Sequence, residues 1–222
     1  MAALTAGAIV VGIYPTASAA EKEHIIRHSG CRFLFIENDE LLDTILAIRA
    51  RIGLPERIAL FETKQETLPG AITTLAELQR QGGEADLREP GRFDSTWRAV
   101  APGDLATIAY TSGTTGPPKG AMITHANLFF TAINAVRTQD LSPDDFGIAY
   151  LPLTHMLQRL TVYAALHVGM RGVYAESIDK LIDNFRELRP TAQVGVPRIF
   201  EKIHTRIMQR VSEGSALRRR IF

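Results

Sequence analysis

At 222 residues, with 45% hydrophobic and 22% charged residues, the chain has the composition of an ordinary globular protein and enough length for one large domain or two small ones. A formal net charge of +1 supplies no single-sign field of the kind that draws nucleic acid, and no nucleic-acid partner is expected. The only cysteine, Cys31, excludes an internal disulfide, so folding needs no oxidising compartment and a cytoplasmic setting is expected.

The apolar run from Ala6 to Tyr14, followed by Ala17-Ser18-Ala19, imitates a secretory signal, yet no Lys or Arg precedes Lys22. Pro15-Thr16 and then Ser18-Ala19-Ala20-Glu21 read better as a turn and a capping box. No apolar stretch approaches the ~20 residues needed to cross a bilayer, so any membrane contact would be peripheral. The pattern predicts a strand over Val10 to Tyr14, a helix over Ala19 to Ser29 closed by Gly30, and a strand over Arg32 to Glu37, together a βαβ unit. A helix near Leu41 to Arg51, a strand over Arg57 to Phe61 and a short helix around Thr74 to Gln81 repeat the alternation, which implies parallel sheet flanked by helices. Gly82 to Gly103 gathers Gly, Pro and charge with little periodicity and is expected to be a surface connection.

Beyond it the predicted elements are a strand over Leu105 to Tyr110, a glycine-rich loop, a strand over Ala121 to Ile123, and a helix over His125 to Val136 capped by Thr124. A strand over Ile148 to Leu151, helices over Leu160 to His167 and Asp179 to Leu188, and a strand over Gln193 to Val196 follow. Pro197 opens a last helix with Phe200, Ile203, Ile207 and Val211 at helical spacing.

The loop from Tyr110 to Gly120 (Tyr-Thr-Ser-Gly-Thr-Thr-Gly-Pro-Pro-Lys-Gly) places four aliphatic hydroxyls, three glycines and one lysine directly after a strand. Glycines let successive backbone amides converge on one anion, hydroxyls donate to phosphate oxygens or ligate Mg²⁺, and Lys119 adds a compact positive charge. That is the chemistry of a polyphosphate cradle; a plain Gly/Thr connection between strands is the alternative use of the same residues. It is not a Walker A loop, which would need glycine at Pro118 and Ser or Thr at Gly120.

The same eleven residues resemble the phosphate-binding signature of the AMP-forming adenylate superfamily. Ala6-Gly7-Ala8-Ile9-Val10-Val11-Gly12-Ile13-Tyr14-Pro15-Thr16, Leu151-Pro152-Leu153-Thr154-His155 and Gly195-Val196-Pro197-Arg198-Ile199-Phe200-Glu201-Lys202-Ile203 are similar to segments of its long-chain fatty acyl-CoA synthetases. The resemblance implies an α/β fold, part of the large N-terminal domain of an acyl-adenylate-forming enzyme, with mostly parallel sheets flanked by helices. It implies a βαβ subregion over 1–82, a connection over 83–104, and a phosphate-loop and acyl-site subregion over 105–222. Its substrates and cofactors would be a fatty acid, ATP, CoA and Mg²⁺. Thr111, Ser112, Gly113, Thr114, Thr115, Gly116 and Lys119 are then the expected ATP-binding residues, with Thr111 toward Mg²⁺ and Lys119 catalytic. His155, the other expected catalytic residue, matches a position near the acyl and adenylate site. Where the family often has His-x-x-Glu-Arg, this chain has His155-Met156-Leu157-Gln158-Arg159, which removes a carboxylate able to pair with Arg159.

The resemblance also implies a Tyr-Gly-x-Thr-Glu adenine motif, a ribose-binding aspartate and a C-terminal lid, none of which occurs in these residues. The expected reading is a fragment of a long-chain fatty acid–CoA ligase with little activity alone. The alternatives are a non-catalytic half needing the missing C-terminal segment as a complementing chain, or an adenylation module for another carboxylic acid. His24, His28, His125, His167 and His204 show no metal-ligand spacing. Arg198, Lys202, Arg206 and Arg210 recur every four residues on the last helix, and Arg218-Arg219-Arg220 follows. Such a stripe suits anionic lipid or CoA phosphates, although a solvated helix face is its commoner use.

Overall fold

The computed structural model describes residues 1–53, 55–111 and 116–212. They divide between two compact units, Met1–Phe130 and Thr131–Phe222.

The first unit starts with a short helix α1 (Ala2–Thr5) and a short strand β1 (Val10–Val11), followed by helix α2 (Ala19–Ser29). Both ends of α2 are set locally. The Ser18 amide donates to the Glu21 carboxylate at 2.8 Å, and the Glu21 amide donates to the Ser18 hydroxyl at 3.2 Å. Gly30 then takes φ 64°, a left-handed conformation that terminates the helix without a Cβ clash.

Strand β2 (Phe33–Ile36), helix α3 (Asp39–Ile52) and strand β3 (Arg57–Leu60) form a parallel βαβ unit, and β4 (Ile72–Thr74) extends the sheet beyond β3. Leu42, Ile45 and Ile48 share one face of α3 and pack with Ile26, Leu34, Ile36, Ile58 and Leu60. The strand alternation is visible in β2, where Leu34 and Ile36 are buried while Phe33 and Phe35 stand on the opposite, open face.

Two expectations are corrected here. The strand at Val10 does not join the next one in a βαβ unit: β1 pairs in parallel with β5 (Leu105–Thr111), Val10 opposite Thr107 and Val11 opposite Ile108, in a separate sheet. Parallel partners are brought together by the packing of distant segments, and nearness in sequence does not decide between them. Gly82 to Gly103 is also largely helical, with α4 (Leu75–Arg88) starting at the Thr74 cap and α5 (Arg92–Ala99) following. Neither helix contains a buried residue, which explains why an apolar period was not visible. Local ion pairs support α4 instead, the Arg80 guanidinium bonding Glu77 at 2.7 Å and also reaching Glu84.

β5 turns back into antiparallel β6 (Lys119–Thr124), and α6 (His125–Thr138) leads from the first unit into the second. Thr124 caps it as expected, its hydroxyl accepting from the Asn127 amide at 3.2 Å.

In the second unit, β7 (Phe146–Ala149), α7 (Met156–Val168) and β8 (Arg171–Tyr174) form another parallel βαβ, followed by α8 (Leu181–Leu188) and α9 (Pro197–Ser212). Ile148, Tyr150 and Leu181 make its core, with the Phe185 ring edge-on to Tyr150 at 6.4 Å. Gln193 to Val196 is not a strand, in contrast to expectation. The segment still runs beside β7, but the Gln193 side-chain amide takes the place of a ladder residue: Ile148 N–H donates to its Oε1 at 3.2 Å, and its Nε2 donates to Ile148 O at 2.9 Å. Among the described residues no helix is long and apolar enough to cross a membrane.

Leu60, fully buried, tests the first core: Leu60→Ala is expected to lower stability by about 2–5 kcal/mol, seen as a lower urea midpoint. Asp145 tests the second unit. Its carboxylate accepts from the Ser142 amide at 2.8 Å and from the Thr191 hydroxyl at 2.8 Å, and these bonds, the Ser142 amide foremost, hold its pKa below the ordinary value of 3.8. A carboxyl depressed by folding contributes stability above its unfolded value and loses it as pH falls through the folded value. Thermal midpoints measured down an acid titration should therefore fall less steeply below about pH 4 for Asp145→Asn than for the parent.

Candidate functional site

The antiparallel register of β5 and β6 ends with Thr111 opposite Lys119. The two residues expected to act on phosphate from either end of the loop are therefore brought together as its closing pair. Ser112, Gly113, Thr114 and Thr115 lie outside the described residues. Gly116, the remaining expected contact, is exposed with φ 102°.

Thr111 and Lys119 are both exposed. Among the described residues no ion pair to the Lys119 ammonium is found. No cluster of three or more His, Cys, Asp or Glu side chains able to hold a metal occurs among the described residues.

The next register pair places Tyr110 opposite Gly120. A Cβ on Gly120 would lie 2.6 Å from Ile108 Cγ2 and 3.2 Å from Tyr110 Cζ. Glycine is needed here for close approach: the Tyr110 side chain lies across the neighbouring strand in space that any other residue would fill. Partial burial pushes the Tyr110 phenol above its ordinary pKa and keeps it neutral. It reaches His28 of α2, with Oη 2.7 Å from His28 Nδ1, while one turn earlier His24 Nε2 lies 2.9 Å from Pro118 O. The two imidazoles stack with centroids 5.3 Å apart, and both meet the Tyr110 ring edge-on. An open hollow of about 600 Å³ runs along this helix face, lined by Ala20, Glu23, His24, Arg27 and His28. Sequence reasoning passed over His24 and His28 for want of metal-ligand spacing; their i, i+4 separation, which puts both rings on one helix face, was the available signal.

His155 belongs to the second unit. It is exposed at the N-terminus of α7, its amide donating to Pro152 O at 2.8 Å and its carbonyl accepting from the Arg159 amide at 3.2 Å. The following residues show why an amide is accommodated at 158. Gln158 is buried, and its Oε1 accepts from the Tyr150 and Leu151 amides at 3.2 and 3.0 Å while its Nε2 donates to Thr161 Oγ1 at 2.9 Å. Arg159, also buried, donates through Nε to Leu153 O at 2.7 Å. The side chain at 158 thus serves the turn that presents His155, and Arg159 holds the same turn from the other side.

Two substitutions check these assignments. Gly120→Ala should lower stability by about 1–3 kcal/mol in chemical unfolding, because Ile108 and Tyr110 must both shift. Gln158→Leu leaves two backbone amides without their acceptor and should cost about 1–3 kcal/mol by the same measurement.

A family model described as AMP-binding enzyme matches residues 1–220. Among curated relatives, fatty acyl-CoA synthetase B of Dictyostelium discoideum is 32% identical over 221 residues, covering 96% of this chain and 32% of the relative. A long-chain-fatty-acid–CoA ligase of Rattus norvegicus is 30% identical over 236 residues, covering 100% of this chain and 34% of that one. The chain spans about a third of the length of these relatives. Among solved structures, a long-chain-fatty-acid–CoA ligase from Archaeoglobus fulgidus superposes with a TM-score of 0.63 at 24% identity, over 87% of this chain and 36% of that one. An anthranilate CoA ligase in complex with anthranoyl-AMP gives a TM-score of 0.68 at 22% identity with the same coverages, 87% and 36%. These likenesses establish the α/β fold as that of AMP-forming ligase N-terminal domains. The family model covers nearly the whole length, and the chain belongs to the AMP-binding enzyme family.

Proposed function

We propose that this chain supplies the phosphate-binding part of an AMP-forming long-chain fatty acid–CoA ligase. In the first step a carboxylate oxygen attacks the α-phosphorus of ATP, the bond to the bridging oxygen breaks, and pyrophosphate leaves with the charge. In the second the thiolate sulfur of CoA attacks the acyl carbonyl and AMP departs. The observation that carries the reading is the Thr111–Lys119 closing pair at the base of a loop rich in glycine and hydroxyls. An ammonium acting with hydroxyl and amide donors contributes most where negative charge grows, which in this reaction is the departing pyrophosphate.

Thr111 is the residue that would meet Mg²⁺, one oxygen among ligands supplied mainly by phosphates and water. The ion would neutralise phosphate charge. Ser112, Gly113, Thr114, Thr115 and Gly116 would supply the remaining loop donors. His155, held by Gln158 and Arg159 through its turn, would orient the acyl carboxylate. Residues 1–82, 83–104 and 105–222 would be the βαβ, connecting and phosphate-loop portions of the N-terminal domain. The names of the fatty acyl-CoA synthetase and the long-chain ligases support a long-chain fatty acid as the acid and CoA as the thiol.

A second reading, favoured by α9, is a half-enzyme completed by another polypeptide. Phe200, Ile207 and Met208 are 44 to 55% exposed on that helix, an apolar surface that a C-terminal segment would cover. The same helix carries Arg198, Lys202 and Arg206, with Lys202 3.5 Å from Asp179, and an anionic membrane surface is the competing occupant. Cosedimentation with phosphatidylserine vesicles at low and high salt separates them: salt-sensitive binding supports the membrane, and no binding at either salt removes it.

The deciding measurement for the phosphate site is equilibrium binding of Mg-ATP to the chain. Lys119→Ala should weaken it about 10- to 100-fold, the loss of one hydrogen bond to a charged group. Unchanged affinity would overturn the assignment. Palmitate-dependent exchange of pyrophosphate into ATP, on adding a polypeptide with the adenine, ribose and lid elements, tests the full reaction.

A further inference from the structure

We propose that His24 and His28 are positioning residues that clasp the root of the phosphate loop; the functional consequence rests on the reading of that loop as a nucleotide site. His24 is 94 residues from Pro118 and His28 is 82 from Tyr110, yet one helix face reaches both strands of the hairpin at equivalent places. Tyr110 immediately precedes Thr111, and Pro118 immediately precedes Lys119. His24 therefore holds the carbonyl next to Lys119, and His28 holds the phenol of the residue next to Thr111.

The chemistry of the bonds is constrained. A proline carbonyl can only accept, so His24 Nε2 carries the hydrogen and donates to Pro118 O at 2.9 Å. Pro118 has no amide hydrogen and its φ is fixed by the ring, so anchoring its carbonyl orients the peptide plane that leads into Lys119. On the other strand, His28 Nδ1 and the Tyr110 hydroxyl share a bond of 2.7 Å. Neighbouring charges on α2 are engaged elsewhere: Glu23 pairs with Arg51 at 2.7 Å and with Arg27 at 3.6 Å. Ile25 and Ile26 turn into the core, which fixes the rotation of the helix and aims the histidine face. A loop that must present several donors to one triphosphate gains from having its two ends immobilised before the ligand arrives, because ordering is then not charged against binding.

The test uses the whole chain and two readouts. Amide hydrogen exchange over Gly116, Lys119 and Gly120, without nucleotide, reports the clasp. His24→Leu should raise exchange there about 3- to 10-fold, and His24→Gln, which keeps an N–H donor, should stay within about 2-fold of the parent. Tyr110→Phe removes only the hydroxyl and should loosen the same amides without unfolding the chain. Unchanged exchange in both His24→Leu and Tyr110→Phe, with native melting, overturns the proposal, as does failure of His24→Gln to restore protection. Mg-ATP affinity is measured in parallel. Weakening with His24→Leu and recovery with His24→Gln support the clasp in its nucleotide role. If the parent binds no ATP while exchange still follows the donor at position 24, the clasp stands and the nucleotide reading falls.

Discussion

The antiparallel pairing of β5 with β6 is the constraint on which the candidate site depends. It makes Thr111 and Lys119 cross-strand partners, so that the two ends of the intervening loop leave the sheet side by side. The pairing in turn relies on Gly120, where the absence of a side chain lets Tyr110 lie across the partner strand. A two-stranded hairpin is marginal by itself. Here β1 adds to the outer edge of β5 in parallel, and Thr107, fully buried, donates its hydroxyl to Val10 O. A seven-residue strand held on both edges makes a stiffer base for a glycine-rich loop than the loop could provide for itself.

The separate sheet of β2, β3 and β4 carries a hydrophobic core of the first unit, yet none of the expected catalytic residues lies on it. Its contribution to the site is through α2. That helix packs Ile26 into the same core as α3 and turns its histidines toward the hairpin of the other sheet. The core thus sets the rotation of a helix whose polar face meets Tyr110 and Pro118, which joins hydrophobic burial to the geometry of the hairpin.

In the second unit a similar economy is achieved with polar groups. Gln158 and Arg159 are both buried, and they bond to the backbone at Tyr150, Leu151 and Leu153. Buried polar side chains that satisfy main-chain groups define a turn more sharply than apolar packing does, because a misplaced amide or guanidinium loses its bonds at once. The turn so defined carries His155. The amide of Gln158 both accepts from two main-chain amides and donates to Thr161, which an ionised carboxylate could not do.

Much of this was legible in the sequence because it is local. Ser18 and Glu21 start α2, Gly30 ends it, Thr124 caps α6, and the run from Tyr110 to Gly120 states its chemistry in consecutive residues. These features depend on backbone and side chains a few positions apart, and on a fold whose family is recognisable from the loop itself. Three things were decided only by tertiary structure: that β1 leaves its neighbour β2 for β5, that a glutamine side chain at 193 stands in for a strand beside β7, and that His24 and His28 face Tyr110 and Pro118. Each joins segments 45 to 97 residues apart, and no periodicity or propensity encodes which distant carbonyl a donor will meet. Such pairings follow from where the packed cores place the elements, after local preference has already made them helices and strands.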